Sequence, residues 1–175
     1  KAMAGIGAFI ASTKPIVNYL QYNLRSQIFA KSLPMPMTIG SLKRLELLRS
    51  KPEIKAKLWE NVNKLQNGLK ERGFNLGNTN TCVTPVMMQG SPVEATLLVK
   101  DLRENYGVFT SVVVYPVIPK GMILLRLIPT ASHSDAEINE TLEAFGAIHD
   151  KLVNGHYKAE AEKLLEEKQL SFKPI

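Results

Sequence analysis

Between Tyr106 and Ala131 only two side chains are charged, Lys120 and Arg126. Lys120 adjoins Gly121, a turn signal. Arg126 lies inside Ile123-Leu124-Leu125-Arg126-Leu127-Ile128, which is apolar on both faces of any strand. A guanidinium placed there needs an anion, because removing one partner of a buried ion pair costs about 3–5 kcal/mol. Three arrangements satisfy it. The anion is a carboxylate of the chain itself; or it is a ligand carboxylate or phosphate, gripped by two parallel N–H bonds of the planar fork; or Arg126 lies at a sheet edge and extends its head to water. Spacing alone leaves the three open.

Other reactive side chains offer less. Cys82 is the sole cysteine, so no internal disulfide and no cysteine-based zinc site can form. It reads as a small core hydrophobe, and its solitude fits a reducing cytoplasm. His133, His149 and His156 lack ligand-like spacing, and no metal is expected. His133, between Ser132 and Ser134, reads as orienting a turn ahead of a helix. A lysine at position 1, followed by Ala-Met-Ala-Gly, carries no chemical signal by itself.

These residues must be held by elements that the periodicity outlines. Gly7–Ser12 suits a short strand. Lys14–Phe29 reads as a helix with Ile16, Leu20, Leu24 and Ile28 on one face. Pro34 and Pro36 interrupt it, and Thr38–Arg49 forms a second helix with Ile39, Leu42, Leu45 and Leu48 inward. Ser50-Lys51-Pro52-Glu53 has the pattern of a capping box. It opens a long helix to Arg72, striped with Ile54, Leu58, Val62, Leu65 and Leu69 and stopped by Gly73. The period then changes. Thr81–Met88 is a strand in which Pro85 marks an edge or bulge. A second capping box at Ser91–Glu94 starts a helix to Tyr106. Val108–Val114 and Met122–Ile128 are strands joined by a proline-rich loop. A third capping box, Ser134–Glu137, starts a helix that buries Ile138, Leu142, Phe145 and Leu152, and a charged helix over Tyr157–Lys168 follows Gly155. The order predicts an α+β fold with helices on one face of a small sheet. Residues 1–45 read as part of a different domain, 46–153 as a small α+β domain and 154–175 as a helical extension.

A chain of 175 residues is long enough for one real core. Its 45% hydrophobic and 22% charged content is that of a soluble globular protein, and no apolar run reaches the ~20 residues of a membrane helix. The net charge of +6 is concentrated between Lys43 and Arg72. It reads as a solvated helical face, or as attraction for a polyanion or an acidic partner. Aromatics at 7%, not interleaved with the basic residues, speak against nucleic acid. The chain opens on Lys1 rather than Met, and reads as a piece of something longer.

The run Tyr115-Pro-Val-Ile-Pro-Lys-Gly, then Leu-Leu-Arg126, then Ala131-Ser-His-Ser, resembles the end of the α-oxoamine synthases. These are pyridoxal-phosphate (PLP) enzymes that join an amino acid to an acyl-CoA. Lys1-Ala-Met-Ala-Gly resembles the segment that begins at the family's cofactor-attaching lysine. Arg25-Ser-Gln-Ile-Phe29-Ala-Lys-Ser32-Leu-Pro34 is similar to a second family segment, and Trp59-Glu-Asn and Gly73-Phe74 fall where the long helix leads into the small domain. The resemblance covers about residues 1–153.

It implies the C-terminal portion of a fold-type-I PLP enzyme: the small domain, with a mostly antiparallel sheet, plus a remnant of the large domain. It also implies that Arg126 grips the α-carboxylate of the amino acid, that Lys1 attaches the cofactor and acts as catalytic base, and that Ser32 and Lys31 reach the cofactor phosphate of a neighbouring subunit. Ala30 and Lys31 stand where the family has two hydroxyl residues, leaving Ser32 as the hydroxyl. The implied partners are an amino acid, an acyl-CoA and a second copy of the chain in a homodimer. Within the family, a serine palmitoyltransferase-like activity is favoured, the apolar Pro116–Pro119 loop bordering the acyl chain. Val114 departs from serine-using relatives that carry an arginine there. Glycine C-acetyltransferase and 8-amino-7-oxononanoate synthase are the alternatives within the family. A fold-type-I aminotransferase and a non-enzymatic basic interaction module are the alternatives outside it. The rest of the cofactor site would lie upstream of Lys1, so residues 1–175 alone are expected to be inactive.

Overall fold

The computed structural model describes residues 3–171. The chain divides into two compact units, Lys1–Glu53 and Ile54–Ile175.

The first unit contains helices α1 (Lys14–Asn23), α2 (Arg25–Ile28) and α3 (Met35–Ser50). The single helix expected over Lys14–Phe29 is divided at Leu24, whose φ of −81° and ψ of 109° are extended. The strand expected at Gly7–Ser12 is absent. A strand exists only through hydrogen bonds to a neighbour, and none of the described residues pairs with this segment. The expected stripe on α3 does not turn into a core either: Ile39, Leu42 and Leu48 remain exposed. None of the three helices buries a side chain. Ser50 closes α3 rather than capping the next helix.

The second unit is the folded body. Helix α4 (Pro52–Glu71) leads to strand β1 (Thr84–Gln89), helix α5 (Pro92–Tyr106), strands β2 (Ser111–Val113) and β3 (Met122–Leu127), then helices α6 (Asp135–Val153) and α7 (His156–Ser171). The sheet order is β1-β3-β2, with both pairings antiparallel. Pro85 sits on edge strand β1, where its missing N–H leaves no ladder bond unmade. Strand alternation sends Ile123, Leu125 and Leu127 to one face of β3, joined by Thr84 and Val86 of β1. That face meets Leu65 and Leu69 of α4, Leu98 and Leu102 of α5, and Ile138, Leu142, Phe145 and Ile148 of α6. Phe74 packs edge-on against Phe145, with centroids 5.4 Å apart.

Two of the three expected capping boxes form. Both Ser91–Glu94 and Ser134–Glu137 form reciprocal capping boxes. Gly107, at φ +68°, ends α5 in the left-handed conformation that favours glycine. Where α4 meets α6, Gly68 leaves room for Leu142: a Cβ there would lie 2.6 Å from Leu142 Cδ1.

Helix α7 is part of the core, with Tyr157 and Ala161 buried. It is tied down by Asp101 of α5, which accepts from Lys151 Nζ (2.7 Å) of α6, from the Tyr157 hydroxyl, and from Asn105 Nδ2 (2.7 Å). Burial alone would raise the Asp101 carboxyl; the bonds from Asn105, Lys151 and Tyr157 outweigh it and hold the group below its ordinary value of 3.8. Burial, with the Asp101 bond second, pushes the Tyr157 phenol far up, so it stays a donor.

Candidate active site

Arg126 lies on the central strand, opposite Pro85 of β1 and Ser111 of β2. Its own alternation sets it on the face away from the core, beside the half-buried Leu124 and Met87. The guanidinium is therefore exposed, not buried as its apolar neighbours implied: Leu125 and Leu127 belong to the other face. It reaches water from the middle of the sheet rather than from an edge. The desolvation argument for an obligatory anion falls accordingly, but the pairing question is answered: among the described residues Arg126 makes no ion pair.

What holds Arg126 is polar and uncharged. Its Nε donates to Ser111 Oγ at 3.1 Å. The buried Thr110 donates its hydroxyl to the Arg126 carbonyl at 3.0 Å. Thus two consecutive residues entering β2 fix the backbone and the side chain of one arginine. Nothing in the sequence pattern pointed to either residue, because the register that faces Ser111 with Arg126 is a tertiary fact.

The loop after β3 is built around His133. Its Nδ1 accepts from Thr130 N at 2.9 Å, and its carbonyl accepts from Asn61 Nδ2 of α4 at 2.8 Å. Asn61, fully buried, donates also to the Thr130 carbonyl at 3.0 Å. His133 thus orients the turn ahead of α6, as its sequence context implied, and Asn61 is the overlooked residue that clamps that turn to α4. Ser134, capping α6, bonds Glu137 through backbone and side chain, which lowers the Glu137 carboxyl from 4.5. Tyr115-Pro116 in the preceding proline-rich loop is a cis peptide, and Lys120 is exposed.

The other residues implied by the resemblance fall elsewhere. Lys31 and Ser32 occupy the exposed loop between α2 and α3 in the first unit, on the wall of a groove of ≈ 790 Å³ whose other walls include Phe9, Val17 and Leu24. Neither side chain has a hydrogen-bond partner among the described residues. Lys1 lies outside the described residues. The structure thus places Lys31 beside Ser32, and Arg126 beside Ser111, in separate units. Cys82 is half-buried. Among the described residues no cluster of His, Cys, Asp and Glu is placed to hold a metal, and no helix is long and apolar enough to cross a membrane.

Known proteins resemble this chain. The family model described as aminotransferase class I and II matches residues 1–145. A cysteate-C-fatty acyltransferase of Capnocytophaga ochracea is 67% identical over 159 residues, which are 91% of this chain and 38% of that protein. A serine palmitoyltransferase of Sphingobacterium spiritivorum is 33% identical over 165 residues, 94% of this chain and 39% of that protein. A solved serine palmitoyltransferase of Sphingomonas wittichii superposes with a TM-score of 0.75 at 28% identity, covering 84% of this chain and 37% of that one. The chain spans a little under two fifths of the length of these relatives. The named relatives are acyltransferases, in keeping with the α-oxoamine synthase resemblance of the Tyr115–Ser134 region, and the family match takes in the sheet, Arg126 and the loop that follows. This chain belongs to the aminotransferase class I and II family.

Proposed function

We propose that the protein of which this chain forms part is a PLP-dependent acyltransferase that condenses an amino acid with a fatty acyl-CoA. In that reaction a bond forms between the amino acid's Cα and the acyl carbonyl carbon. The thioester C–S bond breaks, CoA leaves as the thiol, and the carboxylate departs as CO2. One observation carries the reading: a guanidinium on the central strand, steadied by a hydroxyl, with no acidic partner among the described residues. An incoming carboxylate matches its fork.

The residues present suit the cofactor. Lys31 and Ser32 together offer an ammonium and a hydroxyl, both exposed and both without partners among the described residues, which is a donor set that a phosphate takes. Lys1 would attach the group covalently and, once released, take the proton from the amino acid's Cα. Arg126 would bind the carboxylate and so restrain the amino acid's orientation. PLP, when bound, supplies an electron sink for the charge left at Cα.

The amino acid we favour is cysteate rather than serine. The support is the twofold gap in identity between the cysteate-using relative at 67% and the serine-using one at 33%. Glycine and serine remain the comparison substrates. The full-length protein should release CoA thiol from palmitoyl-CoA fastest with cysteate. Faster release with serine or glycine would overturn the substrate assignment; transamination of a keto acid with no thiol release would overturn the acyltransferase reading.

A further inference from the structure

Arg126 has five N–H donors in one plane, and among the described residues only one of them, at Nε, is used, by Ser111 Oγ. Its other strand neighbour, Pro85, has neither a backbone N–H nor a polar side chain. We propose that Ser111 is a positioning residue: by holding Nε it turns the guanidinium so that the two terminal nitrogens, rather than Nε and one terminal nitrogen, face the substrate carboxylate. The inference rests on the reading of Arg126 as the carboxylate-binding residue and goes beyond it, because it says which edge of the fork is presented and what selects that edge.

The geometry supports this in three ways. An arginine side chain has several rotatable bonds, and an exposed one on an open sheet face samples many of their combinations. One bond to Nε, close to the stem, removes most of that freedom while leaving the terminal N–H groups open. The bond is also well founded. Ser111 is directly opposite Arg126 in the β2–β3 register, so both side chains rise from the same face. Immediately before it, the buried Thr110 hydroxyl bonds the Arg126 carbonyl, which fixes the register at that residue pair. Finally, a serine hydroxyl is neutral. It steers the guanidinium without cancelling its charge, as an aspartate at position 111 would.

The test compares Ser111→Ala, Ser111→Val and Ser111→Thr in the full-length enzyme under steady state. Alanine and valine remove the acceptor, and should raise the KM for the amino acid roughly tenfold, the scale of a hydrogen bond to a charged group. The KM for acyl-CoA and kcat should change little. Threonine keeps the hydroxyl and suits a strand, so it should restore the parent KM. Arg126→Lys is measured alongside. If that substitution raises the amino-acid KM and Ser111→Ala does not, the positioning role is wrong while Arg126 keeps its own. If Arg126→Lys leaves the KM unmoved, the underlying reading fails first. Equal losses in both KM values and kcat for all three Ser111 variants, threonine included, would also overturn the proposal, since they mark a purely structural role.

Discussion

At the scale of single residues the deciding question is what a charged group does when its neighbours are apolar. Arg126 and Asp101 answer it in opposite ways. Asp101 is nearly enclosed and fully engaged, with an ammonium, a phenol and an amide directed at one carboxylate. Arg126 is exposed and holds one hydroxyl. The first pattern is structural and the second leaves capacity for a ligand. Replacing Arg126 by Lys keeps the charge and loses the fork; under the proposed function, the amino-acid KM of the full-length protein should rise by roughly 10- to 100-fold, the worth of a charged hydrogen bond or two. Asp101→Asn should lower unfolding stability by about 2 kcal/mol in urea titration, since it leaves Lys151 without its counter-ion. The pH dependence follows from the lowered carboxyl. The stability Asp101 contributes is fully present above its ordinary 3.8 and is lost as the pH falls through the lowered folded value. The Asp101→Asn protein should therefore show less of this acid-side loss than the parent.

At the scale of elements, the capping boxes and the close crossing of α4 with α6 are the points of leverage. Ser91→Ala removes an N-cap acceptor and should cost about 1 kcal/mol, visible as a lower denaturation midpoint with an unchanged m-value. Gly68→Ala sets two effects against each other. Helix propensity favours alanine by about 1 kcal/mol, but the added methyl meets the buried Leu142, and overpacking of this kind costs about 1–3 kcal/mol. A net loss of stability is expected, and pairing the change with Leu142→Ala should recover part of it. The element boundaries also show how far a sequence pattern reaches. The boxes at Ser91 and Ser134 formed as their spacing implied, because each is complete within four residues. The box at Ser50 did not, because α3 runs on through that residue.

At the scale of the whole molecule the two units differ in kind. The second has a continuous core running from Leu65 to Tyr157. The first has apolar residues in quantity, yet Phe9, Phe29, Met35 and Leu42 are all more than half exposed. Burying apolar surface contributes about 25 cal/mol for each Å², and surface left in water forgoes that contribution. Residues 54–171 expressed alone should therefore melt cooperatively by circular dichroism, whereas residues 1–53 alone should show a broad, non-cooperative loss of helix. A sharp transition in the shorter piece would refute that contrast.

The sequence by itself determined what depends on neighbours along the chain: the α+β order, the two complete helix caps, the stop of α4 at Gly73, the turn around His133, and the run of residues that carries the family likeness. These rest on contacts within a few residues, or on motifs read directly. Tertiary structure decided which face each side chain takes and what stands opposite it. It exposed Arg126 although its sequence neighbours are apolar, because alternation sends those neighbours to the other side of β3. It paired Arg126 with Ser111, seated Asn61 beneath the His133 turn, and brought α7 onto Asp101, joining residues 15 to 72 positions apart. Strand register and helix docking are set by the free energy of the whole core, and no local pattern encodes that sum.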